Sequence, residues 1–155
     1  MESQGWSLFV HPLFQTQLEK LTAQVERLAS RDPRGYASHP AAKTLATILY
    51  YIEEAIPRNP NSPEFRQGNT LGPGNRHWFR AKFHGRYRLF YRFSTEHKAI
   101  VYAWVNDEKS LRKAGSKSDP YAVFQAMLSG GEPPSSFGDL LRASKKMAGM
   151  PDKAH

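Results

Sequence analysis

The chain has 155 residues, no cysteine and a formal charge of +8, which excludes disulfides, thiolate metal sites and cysteine nucleophiles and suits one domain around one core. No apolar run reaches membrane-helix length, and the opening MESQGWSLFVHP lacks the basic start and cleavage site of a signal peptide, so a cytoplasmic protein with no membrane attachment is expected. Residues 1–58 hold six basic and six acidic side chains while residues 59–155 hold sixteen and eight, and an excess confined to the second half favours a polyanion such as nucleic acid.

Trp6–Val10 is short and apolar, the pattern of an edge strand, and His11-Pro12 ends it. From Leu13 to Ala29 the residues Phe14, Leu18, Leu21, Val25 and Leu28 recur at helical spacing, which predicts an amphipathic helix. Pro40 suits the first turn of a second helix to about Ile56, with Ala41, Leu45, Ile48, Leu49, Ile52 and Ile56 as its stripe. The pair predicts a helical hairpin covering the oily side of a sheet. Residues 57–75 hold four prolines, three glycines and four asparagines. That is a long connection, either a loop that borders a site, with Arg66 as its candidate contributor, or a plain solvated linker.

Between Arg76 and Arg92 stand six Lys or Arg and no acidic residue. In Tyr87–Phe93 the odd positions Tyr87, Leu89, Tyr91 and Phe93 are oily, while Arg86, Arg88 and Arg92 alternate with them beside Phe90. Phe79, Ala81 and Phe83 repeat the oily face, with Trp78, Arg80 and Lys82 opposite. A three-residue loop keeps the faces matched by setting Phe83 against Tyr87 and Lys82 against Arg88. The expected result is an antiparallel sheet with one face on the helices and an exposed cationic face. A third strand from about Ala99 to Asn106 alternates Ile100, Tyr102 and Trp104 with Val101, Ala103 and Val105. If its aromatic residues share the basic face, Trp104 and Tyr102 become base-stacking candidates. Further on, Asp119 caps a helix that Pro120 begins and Gly130 ends, and Ser136 with Asp139 forms a capping box for a last helix to about Met147. The domain is expected over 1–148, with a mobile tail over 149–155.

The histidines at 11, 39, 77, 84, 97 and 155 show no helical i, i+4 pair, so neither metal nor cofactor is expected. RNA cleavage without a metal needs less apparatus, because the substrate's 2′-hydroxyl is the nucleophile. The protein must move two protons and offset charge on the phosphorane. Arginine suits the second task with a planar, permanently charged fork. Lys82 is a candidate base; Glu108, Asp107, His77, His84 and Tyr121 are further proton-transfer candidates that the sequence does not rank.

These residues also carry a resemblance. GWSLFVHPLF, NPNSPEFRQGNTLGPG, RAKFHGRYRLFYRF and WVNDEKSLRKAGSKSDPYAVFQAML together closely resemble the YhaV-type toxins of bacterial type II toxin–antitoxin systems, within the RelE/ParE superfamily. The resemblance implies a RelE-like α+β fold, with two N-terminal helices on one face of a twisted antiparallel sheet and further C-terminal helices. It implies an endoribonuclease that inhibits translation and is neutralised by an AbrB-like (PrlF-type) antitoxin, the pair repressing their operon at its operator DNA. It matches Arg80, Lys82, Arg88, Arg112 and Tyr121 to the family's catalytic positions; the residues themselves add Glu108 as a catalytic candidate and Arg86, Arg92, Trp78, Trp104, Asn106 and Lys117 as candidate RNA contacts. The competing readings are a nucleic-acid-binding regulator without catalysis and a ParE-like toxin acting on a protein target.

Overall fold

Two His-Pro pairs start the first two helices of the computed structural model, which describes residues 1–148; the expected tail over 149–155 lies outside the described residues. His11 Nδ1 accepts from the Leu13 N–H at 3.2 Å and His39 Nδ1 accepts from the Ala41 N–H at 3.1 Å. The following prolines take first-turn positions, where a missing N–H costs nothing. The first helix, α1, is Pro12–Arg31 and the second, α2, is Pro40–Tyr50.

His11 is only 2% exposed, and its Nε2 lies 2.9 Å from Glu132 Oε1. Burial holds its pKa below the usual 6.5, with Glu132 opposing the shift. Because the unfolded chain takes this proton more readily, His11 contributes full stability above about pH 6.5 and loses it as pH falls through its lower folded value. His11→Asn keeps a cap acceptor that does not titrate, so its melting temperature is expected to fall less than that of the parent protein between about pH 7.5 and about pH 5. Equal falls would remove His11 from the effect.

The second helix does not run on regularly to Ile56. A π-helical turn, Tyr51–Ala55, leads into α3, Ile56–Arg58. The wide turn sends the Ile56 N–H to the Tyr51 carbonyl, bypassing Ile52, and Pro57 has no N–H for the carbonyl of Glu53. Both freed carbonyls find side-chain hydroxyls: Tyr102 donates to Ile52 O at 2.7 Å and Ser3 donates to Glu53 O at 2.6 Å. Tyr102→Phe strands one of them in the core, so a loss of about 1–3 kcal/mol is expected in urea denaturation. An unchanged midpoint at unchanged slope would show that the bond adds nothing.

The strands are β1 (Glu2–Ser3), β2 (Trp6–Val10), β3 (Phe79–Phe83), β4 (Tyr87–Ser94), β5 (Ala99–Val105) and β6 (Lys145–Lys146), in the order β1-β2-β5-β4-β3 with β6 beside β2. The hairpin has the expected register, with Phe83 opposite Tyr87 and Lys82 opposite Arg88; His84 and Gly85 supply its left-handed corner at φ 47° and 75°. The sheet, however, is mixed rather than antiparallel, because β2 runs parallel to β5. The helical crossover carries the chain to the far edge, and the β3-β4-β5 meander then returns in the direction of β2.

The expected exposed cationic face is also corrected. One cluster joins Phe14, Ile48, Ile52 and Ile56 to Leu8, Leu89, Tyr91, Ile100 and Tyr102. A second joins the intervening residues Trp78, Phe90, Val101 and Ala103 to Tyr121, Phe124, Leu128 and Leu140. Alternate residues thus feed two cores, and the sheet is covered on both sides by α4 (Pro120–Ser129) and α5 (Phe137–Ala143) as well as by the first helices. A β-bulge divides the third strand's aromatics: Phe90 pairs with Trp104 and Tyr91 with Tyr102, leaving Ala103 extra. Tyr102 therefore joins the first core and Trp104 packs against the second. The last helix stops at Ala143, short of Met147, because Ser144 turns extended and Lys145–Lys146 add to β2.

Candidate active site

Period two places Arg80, Lys82 and Arg88 on the side of the β3-β4 hairpin that faces α4. Arg80 is 8% exposed and Arg88 6%. They converge on Tyr121, in the first turn of α4 and itself 6% exposed. Its hydroxyl oxygen accepts from Arg80 Nε at 2.8 Å and from Arg88 Nε at 3.1 Å. The Arg112 guanidinium lies over the same ring, 4.9 Å from its centre.

Buried like charges repel, and backbone dipoles offset part of that cost. Arg80 Nη1 donates to the Glu64 carbonyl at 3.0 Å, and Arg88 Nη1 donates to the carbonyls of Gly85 and Tyr87 at 3.0 and 2.9 Å. Neither Nη2 group has a hydrogen-bond acceptor among the described residues. An incoming phosphate oxygen would gain charge-assisted bonds from both and relieve the repulsion between them.

Asp119 organises the other wall. Its Oδ1 accepts from Arg112 Nη1 at 2.6 Å and from the Lys113 N–H at 2.7 Å, while Oδ2 accepts from the Tyr121 N–H at 3.1 Å. One carboxylate therefore caps α4 and fixes both Tyr121 and Arg112. The sequence shows Asp119 only as a cap, and nothing in it signals the Glu64 carbonyl.

The structure brings together Arg80, Lys82, Arg88, Arg112 and Tyr121, with Lys82 exposed at the rim opposite Arg88. Arg86 borders them, its Nε donating to the Arg112 carbonyl at 3.2 Å. Asn106 is buried as a brace: its Oδ1 accepts from the Arg88 N–H at 2.6 Å and its Nδ2 donates to the carbonyls of Arg86 and Ser110. That pins the 107–118 loop to the hairpin and leaves no amide group directed outward. Lys117 is exposed and lines an open cleft beside Arg112 and Tyr121.

Other expected residues stand apart. Trp78 is 1% exposed, edge-on to Phe124, and offers no face to a base. Arg92 lies four residues along β4 from Arg88, roughly 13 Å. It donates to the Ser135 carbonyl between the rings of Trp78 and Phe137, and burial lowers its pKa. Trp104 is half-buried and stacked on Phe90 and Phe124. Glu108 lines a separate groove with Lys20, His39 and Tyr87. Arg66 donates to Asn61. The 57–75 connection is anchored rather than loose, since Phe65 and Leu71 are buried in the two cores. Among the described residues no group of three or more His, Asp or Glu side chains could hold a metal ion, and no helix is long and apolar enough to cross a membrane.

Together these features define a small α+β protein that gathers Arg80, Arg88 and Arg112 around Tyr121. The sequence profile of a family described as a toxin with endonuclease activity, of a toxin–antitoxin system, matches residues 8–145. The chain is 46% identical over 144 residues to the ribonuclease toxin YhaV of Escherichia coli strain K12, covering 92% of this chain and 94% of that protein. The toxin YhaV of Escherichia coli O157:H7 matches to the same extent. The chain belongs to the YhaV toxin family, the endonuclease toxins of toxin–antitoxin systems. No solved structure gives a significant match.

Proposed function

We propose that this endonuclease cuts RNA by attack of the substrate's own 2′-hydroxyl on the adjacent phosphorus, with no metal ion in the step. The 2′-oxygen bonds to phosphorus, the bond from phosphorus to the 5′-oxygen breaks, and the products are a 2′,3′-cyclic phosphate and a 5′-hydroxyl. The observation that carries this reading is the pair of buried guanidiniums on the Tyr121 hydroxyl, neither of whose Nη2 groups bonds an acceptor among the described residues. Arg80 and Arg88 hold the non-bridging oxygens as negative charge grows on them. The Tyr121 hydroxyl accepts two N–H bonds and keeps its own proton, which it gives to the leaving 5′-oxygen. Lys82, at the rim, takes the 2′-proton, and Arg112 holds the tyrosine ring. Arg86 and Lys117 line the approach of the RNA backbone. A relative named a ribonuclease toxin supports RNA as substrate.

The family's toxin–antitoxin membership supports an antitoxin as partner. The sequence resemblance supports reading that partner as AbrB-like, the joint complex as one that binds operator DNA, and the substrate as mRNA in the cytoplasm, cut by a RelE-like fold. Purified protein in EDTA is expected to leave RNA fragments with cyclic or 3′-phosphate ends, and a single 2′-deoxy nucleotide 5′ of the cut is expected to block that cut. Intact RNA, or fragments with 3′-hydroxyl ends that EDTA abolishes, would overturn the proposal.

A further inference from the structure

The cleft beside Tyr121 has a construction that phosphate chemistry does not use. Its volume is about 400 Å³, within the range of small-ligand sites, and Thr70, Arg112, Ser116, Tyr121 and Gln125 line it. Tyr121 and Gln125 stand one turn apart on the same face of α4. The tyrosine thus belongs to both sites, its hydroxyl to the arginines and its ring to the cleft.

Gln125 is exposed and its side-chain amide has no hydrogen bond among the described residues. The opposing loop makes room for it. A Cβ on Gly72 would lie 2.6 Å from Gln125 Nε2, and Gly72 has φ +86°, which disfavours any side chain there. The amide offers one acceptor and two donors, the complement of a nucleobase edge. Arg112 has one face on the Tyr121 ring and is partly exposed, so its planar fork can carry a stacked base.

We infer that this cleft takes a nucleobase flanking the cut phosphate and that Gln125 reads its edge, making Gln125 a specificity-determining residue. The inference rests on the RNA-cleavage reading above. The test uses the full chain in EDTA on short RNAs that differ only at the two positions flanking the cut, comparing the parent protein with Gln125→Ala and Gln125→Glu. The parent is expected to prefer one flanking base at least about tenfold, and Gln125→Ala to bring that ratio near one through a larger loss on the favoured RNA than on the disfavoured ones. Gln125→Glu, which only accepts, is expected to shift preference toward bases presenting an amino group. An unchanged preference in both variants, a uniform loss across all RNAs, or a parent protein without preference overturns this inference and leaves RNA cleavage standing. A parent protein that cuts none of the RNAs overturns the cleavage reading itself.

Discussion

Arg88→Ala is expected to slow RNA cleavage at least about a hundredfold, the scale of losing one preorganised donor to a transition-state oxyanion. Arg88 is held by three oxygens, the Tyr121 hydroxyl and the carbonyls of Gly85 and Tyr87. Its backbone N–H is also fixed by Asn106. On the proposed mechanism the guanidinium would meet the substrate already aimed, with little reorganisation left for the reacting complex. Alanine removes charge and fork together. Arg88→Lys restores a charge on a flexible stem that cannot reproduce the fork, so its rate should fall between the two. Single-turnover rates with saturating RNA, alongside thermal melts of each variant, separate lost chemistry from lost fold. Near-parental turnover in a folded Arg88→Ala protein would remove Arg88 from the site.

The hairpin was legible because its pattern is redundant. Phe79, Ala81 and Phe83 and then Tyr87, Leu89, Tyr91 and Phe93 admit one register that keeps the oily sides together, and Lys82 faces Arg88 in it. What period two does not reveal is what covers the second face. Trp78 and Phe90 interleave with arginines, which looks like a solvated binding surface until Phe124 and Leu128 close over them. The run Ala99–Val105 is buried at nearly every position, the mark of a strand covered on both sides, and such a run supports either alternation equally well. The bulge at Ala103 then breaks the alternation itself.

The candidate site was foreshadowed in composition and not in geometry. Six cations without an acid point to an anion, but the meeting of Arg80 with Tyr121, 41 residues away, is a long-range contact with no local signature. Tyr121 stood unranked among several proton-transfer candidates until the family resemblance singled it out, and Asp119 was visible only as a helix cap. Arg92 and Arg88 occupy equivalent phases of one strand. They differ because α5 and the Ser135 carbonyl enclose Arg92, and Tyr121 receives Arg88.

Tyr121→Phe is the second large effect, expected to lower cleavage by about two to four orders of magnitude, the range for loss of a positioned proton donor. The ring and its contact with Arg112 remain, so the change isolates the hydroxyl. Two buried Nε–H groups lose their shared acceptor at the same time, and a stability loss of about 1–3 kcal/mol is expected from that alone. The two costs are separable, because a leaving group that needs no proton bypasses the first. An RNA carrying a sulfur in place of the bridging 5′-oxygen at the cut is expected to restore most of the Tyr121→Phe rate and little of the Arg88→Ala rate. A double-mutant cycle sharpens the distinction. Arg88 and Tyr121 share one hydrogen bond, so on ordinary RNA Tyr121→Phe should cost at least about tenfold less in the Arg88→Ala background than in the parent. Fully additive costs together with no sulfur rescue would mean that the tyrosine only fills space, and the proton would have to reach the leaving oxygen from another group at the rim.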